Sequence, residues 1–129
     1  MVRRQDRIAV RRHERIVAFA RHLKLGELYL RHGTWKDVEV VPPSYIAESV
    51  KPQNRGEFFG EQAVYGYGWW ITNVAGHDTF YARGYGGQYL MVIPGADLVV
   101  LCTSDWKQPE YPEHFALVEK FVLPSIATK

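Results

Sequence analysis

The sequence predicts an α+β fold in which an antiparallel sheet of about four strands, connected as a meander, is flanked by an N-terminal and a C-terminal helix. Three features carry this expectation. Ile8, Ile16, Phe19, Leu23 and Tyr29 or Leu30 recur at helical spacing with arginines between them. From Tyr67 to Thr103 the pattern changes to short aromatic and β-branched runs separated by glycine- and proline-containing turns. After Glu113 the apolar residues return to helical spacing. With 129 residues, 47% of them hydrophobic, the chain has the size and composition of one globular domain.

Taken in order, a long helix is expected from Arg7 to His32, stopped by His32-Gly33; Gly26 weakens its middle by about 1 kcal/mol relative to alanine. Val38 to Val41 is too short for more than an edge strand. Pro42-Pro43 opens a helix of about two turns, Ser44 to Val50, because proline is tolerated in a first helical turn, and Lys51-Pro52 closes it. Residues 52–64, with Asn54, Gly56 and Gly60, read as a loop. Strands follow at Tyr67 to Val74, Thr79 to Arg83, Gln88 to Ile93 and Leu98 to Thr103. The turns between them, Ala75-Gly76-His77-Asp78, Gly84-Tyr85-Gly86-Gly87 and Pro94-Gly95-Ala96-Asp97, are short enough to mean hairpins. Glu113 to Ala127 forms an amphipathic helix with Phe115, Leu117, Val118, Phe121 and Val122 inward and Pro124 bending or ending it. A long helix and a terminal helix cover little more than one face of such a sheet, yet neighbours such as Trp69 and Trp70 point to opposite faces. A further element should cover the other face.

Composition excludes several classes. No apolar run approaches the roughly 18 residues a membrane helix needs, so a soluble chain with no membrane partner is expected. The single cysteine, Cys102, closes the apolar run Leu98-Val99-Val100-Leu101-Cys102 and reads as a buried structural thiol. Charge is split along the chain: residues 1–24 carry eight basic and two acidic side chains, residues 25–129 eight basic and twelve acidic. The basic arm lacks the apolar stretch of a secretory signal, and its Asp6 and Glu14 are foreign to a mitochondrial presequence. With Phe19 the only aromatic among the first 28 residues, it lacks stacking groups for nucleic acid, and a solvated helix face is the simpler reading. His13, His22, His32, His77 and His114 form no metal-binding spacing. Gly84-Tyr85-Gly86-Gly87 is followed by a strand where a phosphate cradle needs a helix N-terminus. Neither a metal nor any other cofactor is expected.

Residues 25–106 resemble the C-terminal part of the serine β-lactamase-like hydrolases, a superfamily that includes penicillin-binding proteins and esterases, and look closest to its 6-aminohexanoate-dimer hydrolase branch. Five blocks in the family's order carry the resemblance. They are Leu25-Gly26-Glu27-Leu28-Tyr29-Leu30-Arg31-His32-Gly33-Thr34-Trp35, Val41-Pro42-Pro43-Ser44-Tyr45, and Tyr65-Gly66-Tyr67-Gly68-Trp69-Trp70. Ala82-Arg83-Gly84-Tyr85-Gly86-Gly87-Gln88-Tyr89-Leu90 and Val92-Ile93-Pro94-Gly95-Ala96-Asp97-Leu98-Val99-Val100 complete the set.

The resemblance implies amide or ester hydrolysis through an acyl-serine, with a lysine and a tyrosine handling protons and a third motif on a strand facing the nucleophile. The family's Ser-x-x-Lys and Tyr-x-Asn lie upstream of the matched region. This sequence has no Tyr-x-Asn, and its one Ser-x-x-Lys, Ser104-Asp105-Trp106-Lys107, follows a strand where the nucleophile motif opens a helix. The third motif falls on Ala82-Arg83-Gly84, departing from the familiar Lys-Thr-Gly at its first two positions. Gly84 would leave space for an acyl chain, and the backbone N–H of Tyr85 would be one of two oxyanion donors. Ala82, Arg83, Gln88 and Trp69 are the candidate substrate-binding residues, with Trp69, Trp70, Tyr81 and Tyr85 as candidates for an aromatic wall. The competing reading of Gly84 to Gly87 is a plain hairpin turn whose glycines satisfy positive φ. His77 and Asp78 read as surface polar groups in a turn.

The match begins near Leu25, which divides the chain into an arginine-rich helical arm, 1–24, possibly foreign to the family, and the C-terminal portion of a β-lactamase-like domain, 25–129. The expectation is a fragment of a bacterial-type serine hydrolase, with an amide or ester as substrate in the complete enzyme, inactive on its own, and self-associating through exposed apolar surface. The alternatives are a non-catalytic binding module that uses an exposed sheet face and, with less support, a nucleic-acid-binding protein. With no signal segment in view, the default compartment is the cytoplasm.

Overall fold

The computed structural model describes residues 13–58, 61–84, 87–103 and 114–127, with side chains described at 20–55, 64–84, 87–103 and 114–127. It has the expected α+β architecture: a six-stranded antiparallel sheet, a separate two-stranded sheet, and helices towards both ends of the chain.

Helix α1 (His13–Leu30) runs without a break through the boundary at Leu25. It stops where the sequence predicts, through a Schellman closure. The His32 N–H donates to the Tyr29 carbonyl at 3.1 Å and the Gly33 N–H to the Leu28 carbonyl at 2.8 Å. Left-handed backbone is needed at both His32 (φ 56°) and Gly33 (φ 90°). Strands β1 (Thr34–Trp35) and β2 (Val38–Glu39) then form a tight hairpin, its turn residues Lys36 and Asp37 both at positive φ. Helix α2 (Pro43–Ser49) opens at its N-terminal proline, as expected, and buries Ile46 and Ser49.

The large sheet is a pure meander in the order β3 (Asn54–Phe58), β4 (Glu61–Tyr65), β5 (Trp70–Val74), β6 (His77–Gly84), β7 (Gln88–Ile93) and β8 (Leu98–Cys102). The segment read as a loop at 52–64 is a hairpin instead, in register from Asn54↔Tyr65 to Phe58↔Glu61. Its sequence is polar and glycine-containing, with little β-propensity of its own. Pairing of β4 to β5 through Val64↔Ile71 and Tyr65↔Trp70 extends the sheet over it. The strand expected from Tyr67 starts at Trp70, because Gly68 (φ 81°) bends the chain and the Gly66 N–H closes onto the Trp69 carbonyl at 2.7 Å. The β5–β6 turn has two residues where four were expected. Ala75 and Gly76 both adopt positive φ, so His77 already pairs with Val74. The Asn73 side-chain oxygen accepts the Gly76 N–H at 3.0 Å and steadies this turn.

The sheet carries a helix on each face. Tyr29 and Leu30 of α1 pack over Trp69, Phe80, Leu90 and Val92. Val118 and Leu123 of the C-terminal helix pack on the opposite face over Val74, Tyr89, Met91, Ile93 and Cys102. Strand β7, central to both layers, is the most enclosed, with Met91, Val92 and Ile93 at 0% exposure. The expectation that the two helices lie over little more than one face is therefore corrected: they sit on opposite faces. Gly26 explains how α1 comes so close, since a Cβ there would lie 2.6 Å from Val99 Cγ1 and 3.2 Å from Leu90 Cδ1.

The C-terminal helix is α3 (His114–Leu117), a π turn (Val118–Val122) and α4 (Leu123–Ala127) in succession. Its inward face differs from the expected one. The π turn widens the repeat towards five residues, which brings Val118 and Leu123 together on the sheet and turns Leu117 and Phe121 outward, 49% and 68% exposed.

Candidate functional site

The third-motif segment lies where the sheet changes width. The β5–β6 ladder ends at Trp70↔Tyr81, whereas the β6–β7 ladder continues through Ala82↔Leu90 and Arg83↔Tyr89 to Gly84↔Gln88. Ala82, Arg83 and Gly84 thus run past the end of β5 at a corner of the sheet.

Strand alternation sorts the candidate residues onto two faces. Ala82 packs with the layer under α1. Gly84 and Gln88 share that face, a Cβ at Gly84 falling 3.2 Å from Gln88 Cβ and 3.5 Å from its Cγ. Arg83 lies on the other face, its guanidinium carbon 5.9 Å from the centre of the Tyr89 ring. The structure therefore joins Ala82, Gly84 and Gln88 and separates Arg83 from them.

The aromatic candidates divide as well. Trp69 does not form an open wall. It is 4% exposed, held between Tyr29 at 4.7 Å and Phe80 at 5.1 Å between ring centres, because the Gly68 bend turns it beneath α1. Trp70 points to the opposite face and packs on Tyr65 at 4.6 Å. Tyr81 stacks on Tyr89 and meets the edge of Phe115. His77 and Asp78 open strand β6 instead of sitting in a turn, and the Asp78 carboxylate accepts a hydrogen bond from the Asn73 amide at 3.3 Å. Tyr85 and the Ser104-Asp105-Trp106-Lys107 stretch lie outside the described residues.

The two glycines flanking the turn differ in kind. Gly87 adopts φ 83°, a region that favours glycine. Gly84 does not have positive φ, and among the described residues a Cβ there would meet Gln88 alone, 3.2 Å from its Cβ. The plain-turn reading accounts for Gly87 and leaves Gly84 unexplained.

Behind this corner stands His114, which sequence reasoning weighed only as a metal ligand. It is 8% exposed, and its Nε2 lies 2.8 Å from the Gly87 carbonyl oxygen. A lone histidine after a proline-containing stretch carries no pattern by which to find it. Cys102 is buried beneath the C-terminal helix, and burial pushes its thiol above the ordinary range. Among the described residues there is no group of three or more histidine, cysteine or acidic side chains arranged to hold a metal. No helix of the described residues is long and apolar enough to cross a membrane. Neither a scan of protein-family models nor a search of curated proteins gives a match to this chain.

Proposed function

We propose that this chain is the C-terminal part of a β-lactamase-like serine hydrolase and supplies one wall of an acyl-transfer site whose serine, lysine and tyrosine come from a further part of the protein. The observation that carries this is Gly84: exposed, at the end of a strand that outruns its neighbour, and lacking a side chain without needing positive φ. A bare strand edge is what an extended acyl chain needs in order to lie against the backbone. Gln88, beside Gly84 on the same face, is placed to hydrogen-bond an amide or ester group of the substrate. The family resemblance implies that the Tyr85 N–H would be one of two oxyanion donors, the other being the N–H of the serine. Ala82 leaves that face without the cation of the Lys-Thr-Gly form, so a neutral acyl group fits better than a carboxylate held in the β-lactam manner. Arg83 acts through the sheet, on the far side from substrate. Apolar surface such as Phe121 and Val38, 68% and 63% exposed, is consistent with part of a larger fold.

The test is labelling with a serine-reactive fluorophosphonate. The chain alone should show neither ester hydrolysis nor an adduct. Joined at Leu25 to an upstream half that carries Ser-x-x-Lys and Tyr-x-Asn, it should hydrolyse p-nitrophenyl hexanoate and take up one label on the upstream serine. A stoichiometric adduct on Ser104 of the isolated chain would overturn the proposal.

A further inference from the structure

We propose, building on the acyl-transfer role assigned to the β6–β7 corner, that His114 is a positioning residue that fixes the β6–β7 turn from behind. Its Nε2 lies 2.8 Å from the Gly87 carbonyl oxygen, a contact spanning 27 positions of sequence. A carbonyl oxygen can only accept, so Nε2 carries the proton and donates. The imidazole is buried at the start of α3, and its ring meets Tyr89 edge-on at 5.0 Å between centres. Tyr89 pairs across the ladder with Arg83, whose guanidinium lies over the Tyr89 ring.

A continuous set of contacts therefore links the first turn of the C-terminal helix to both sides of the hairpin: Arg83 through Tyr89, and Gly87 directly. The bond to Gly87 acts at a residue with φ 83°, where glycine has the widest backbone freedom, so the donor at Nε2 removes freedom that the sequence leaves. Gly84 and Gln88 face the opposite side of the sheet, which makes His114 a residue that shapes the site without touching substrate. A strand edge guides an acyl chain only when its backbone is held before reaction, and this latch would hold Gly87 next to the Gly84↔Gln88 pair.

The experiment uses the full chain, labelled with ¹⁵N, as parent, His114→Gln and His114→Leu, with hexanamide as a short neutral acyl probe. Glutamine keeps an N–H donor at a reach close to that of Nε2, whereas leucine fills volume without one. Amide exchange at Gly87 and Gln88 should be about tenfold faster in the leucine variant, as for loss of one buried hydrogen bond, and near parental in the glutamine variant. Amides of α1 should be unchanged in both. If the leucine variant also loosens α1, His114→Asn, which keeps an amide but shortens its reach, is read in its place. Hexanamide should shift the Gly84 and Gln88 resonances of the parent and of the glutamine variant, and bind the leucine variant more weakly. Equal exchange in all variants overturns the latch. Equal hexanamide affinity in all variants shows that the turn is held but the site is not shaped by it, and overturns the positioning role. No shift at Gly84 or Gln88 in the parent, with the exchange result intact, instead removes the acyl-site reading and leaves His114 as a turn anchor alone.

Discussion

At Cys102 a single side chain couples the core to pH. Burial beneath Val118 and Leu123 disfavours the thiolate and raises the thiol above its unfolded value of about 8.5. For a group raised in this way, stability is fully present below the unfolded value and is lost as pH rises through the folded one, because only the unfolded chain ionises in that window. Urea unfolding should accordingly show a decline in stability above about pH 8.5 that is reduced in Cys102→Val, a substitution of similar volume. An identical decline in both proteins would contradict it. That Cys102 is buried was legible in the sequence, since it ends an apolar run. The opposite was true of Trp69. Aromatic composition alone did not distinguish a wall from a core residue, and the deciding feature, the positive-φ bend at Gly68, is a conformation that the sequence permits without requiring.

At the scale of elements, the end of α1 offers a matched pair of substitutions. His32 occupies a left-handed position that costs a non-glycine residue about 1 kcal/mol, whereas a Cβ at Gly33 would lie 2.0 Å from the Val41 carbonyl oxygen. His32→Gly should stabilise the protein by up to about 1 kcal/mol, and Gly33→Ala should destabilise it by about 2 kcal/mol or more. Denaturant midpoints of the same sign for both variants would show that the Schellman closure is not what ends the helix. The helix stop, the proline-led α2 and the strands of the second half were legible because local chemistry sets them. The β3–β4 hairpin was not. Asn54 to Phe58 has little strand propensity, and it is a strand because β4 is paired to β5. The C-terminal helix was found with its inward face right in part. Phe115, Val118 and Val122 pack on the sheet as a 3.6-residue period expects, while the π turn sets Leu117 and Phe121 outward and brings in Leu123. The short β5–β6 turn was overestimated because Ala75, a residue not expected at positive φ, takes that conformation beside Gly76.

At the scale of the whole molecule, the sheet places Ala82, Arg83 and Gly84 at a corner where β6 outlasts β5, with α1 on one face and the C-terminal helix on the other. The β6–β7 hairpin was legible but its register was not: a turn from Gly84 to Gly87 would set Arg83 opposite Gln88, whereas the ladder runs on to pair Gly84 with Gln88. The separation of Arg83 from them follows from strand alternation once the register is known. The support given by His114 was not legible, because it depends on where a helix 27 residues further along the chain is seated. The measurement that bears most directly on the proposed acyl-transfer role is turnover of p-nitrophenyl hexanoate by the chain joined to an upstream half that carries Ser-x-x-Lys and Tyr-x-Asn, compared with its Gly84→Val variant. Among the described residues a Cβ at Gly84 meets Gln88 alone, a flexible side chain that can shift, and the strand favours β-branched residues, so the fold and its melting temperature should hold. Turnover should fall about 10²-fold or more as valine lifts the acyl group from the strand and the oxyanion from its donors. Parental turnover with unchanged melting would contradict the placement of the third motif at Ala82-Arg83-Gly84.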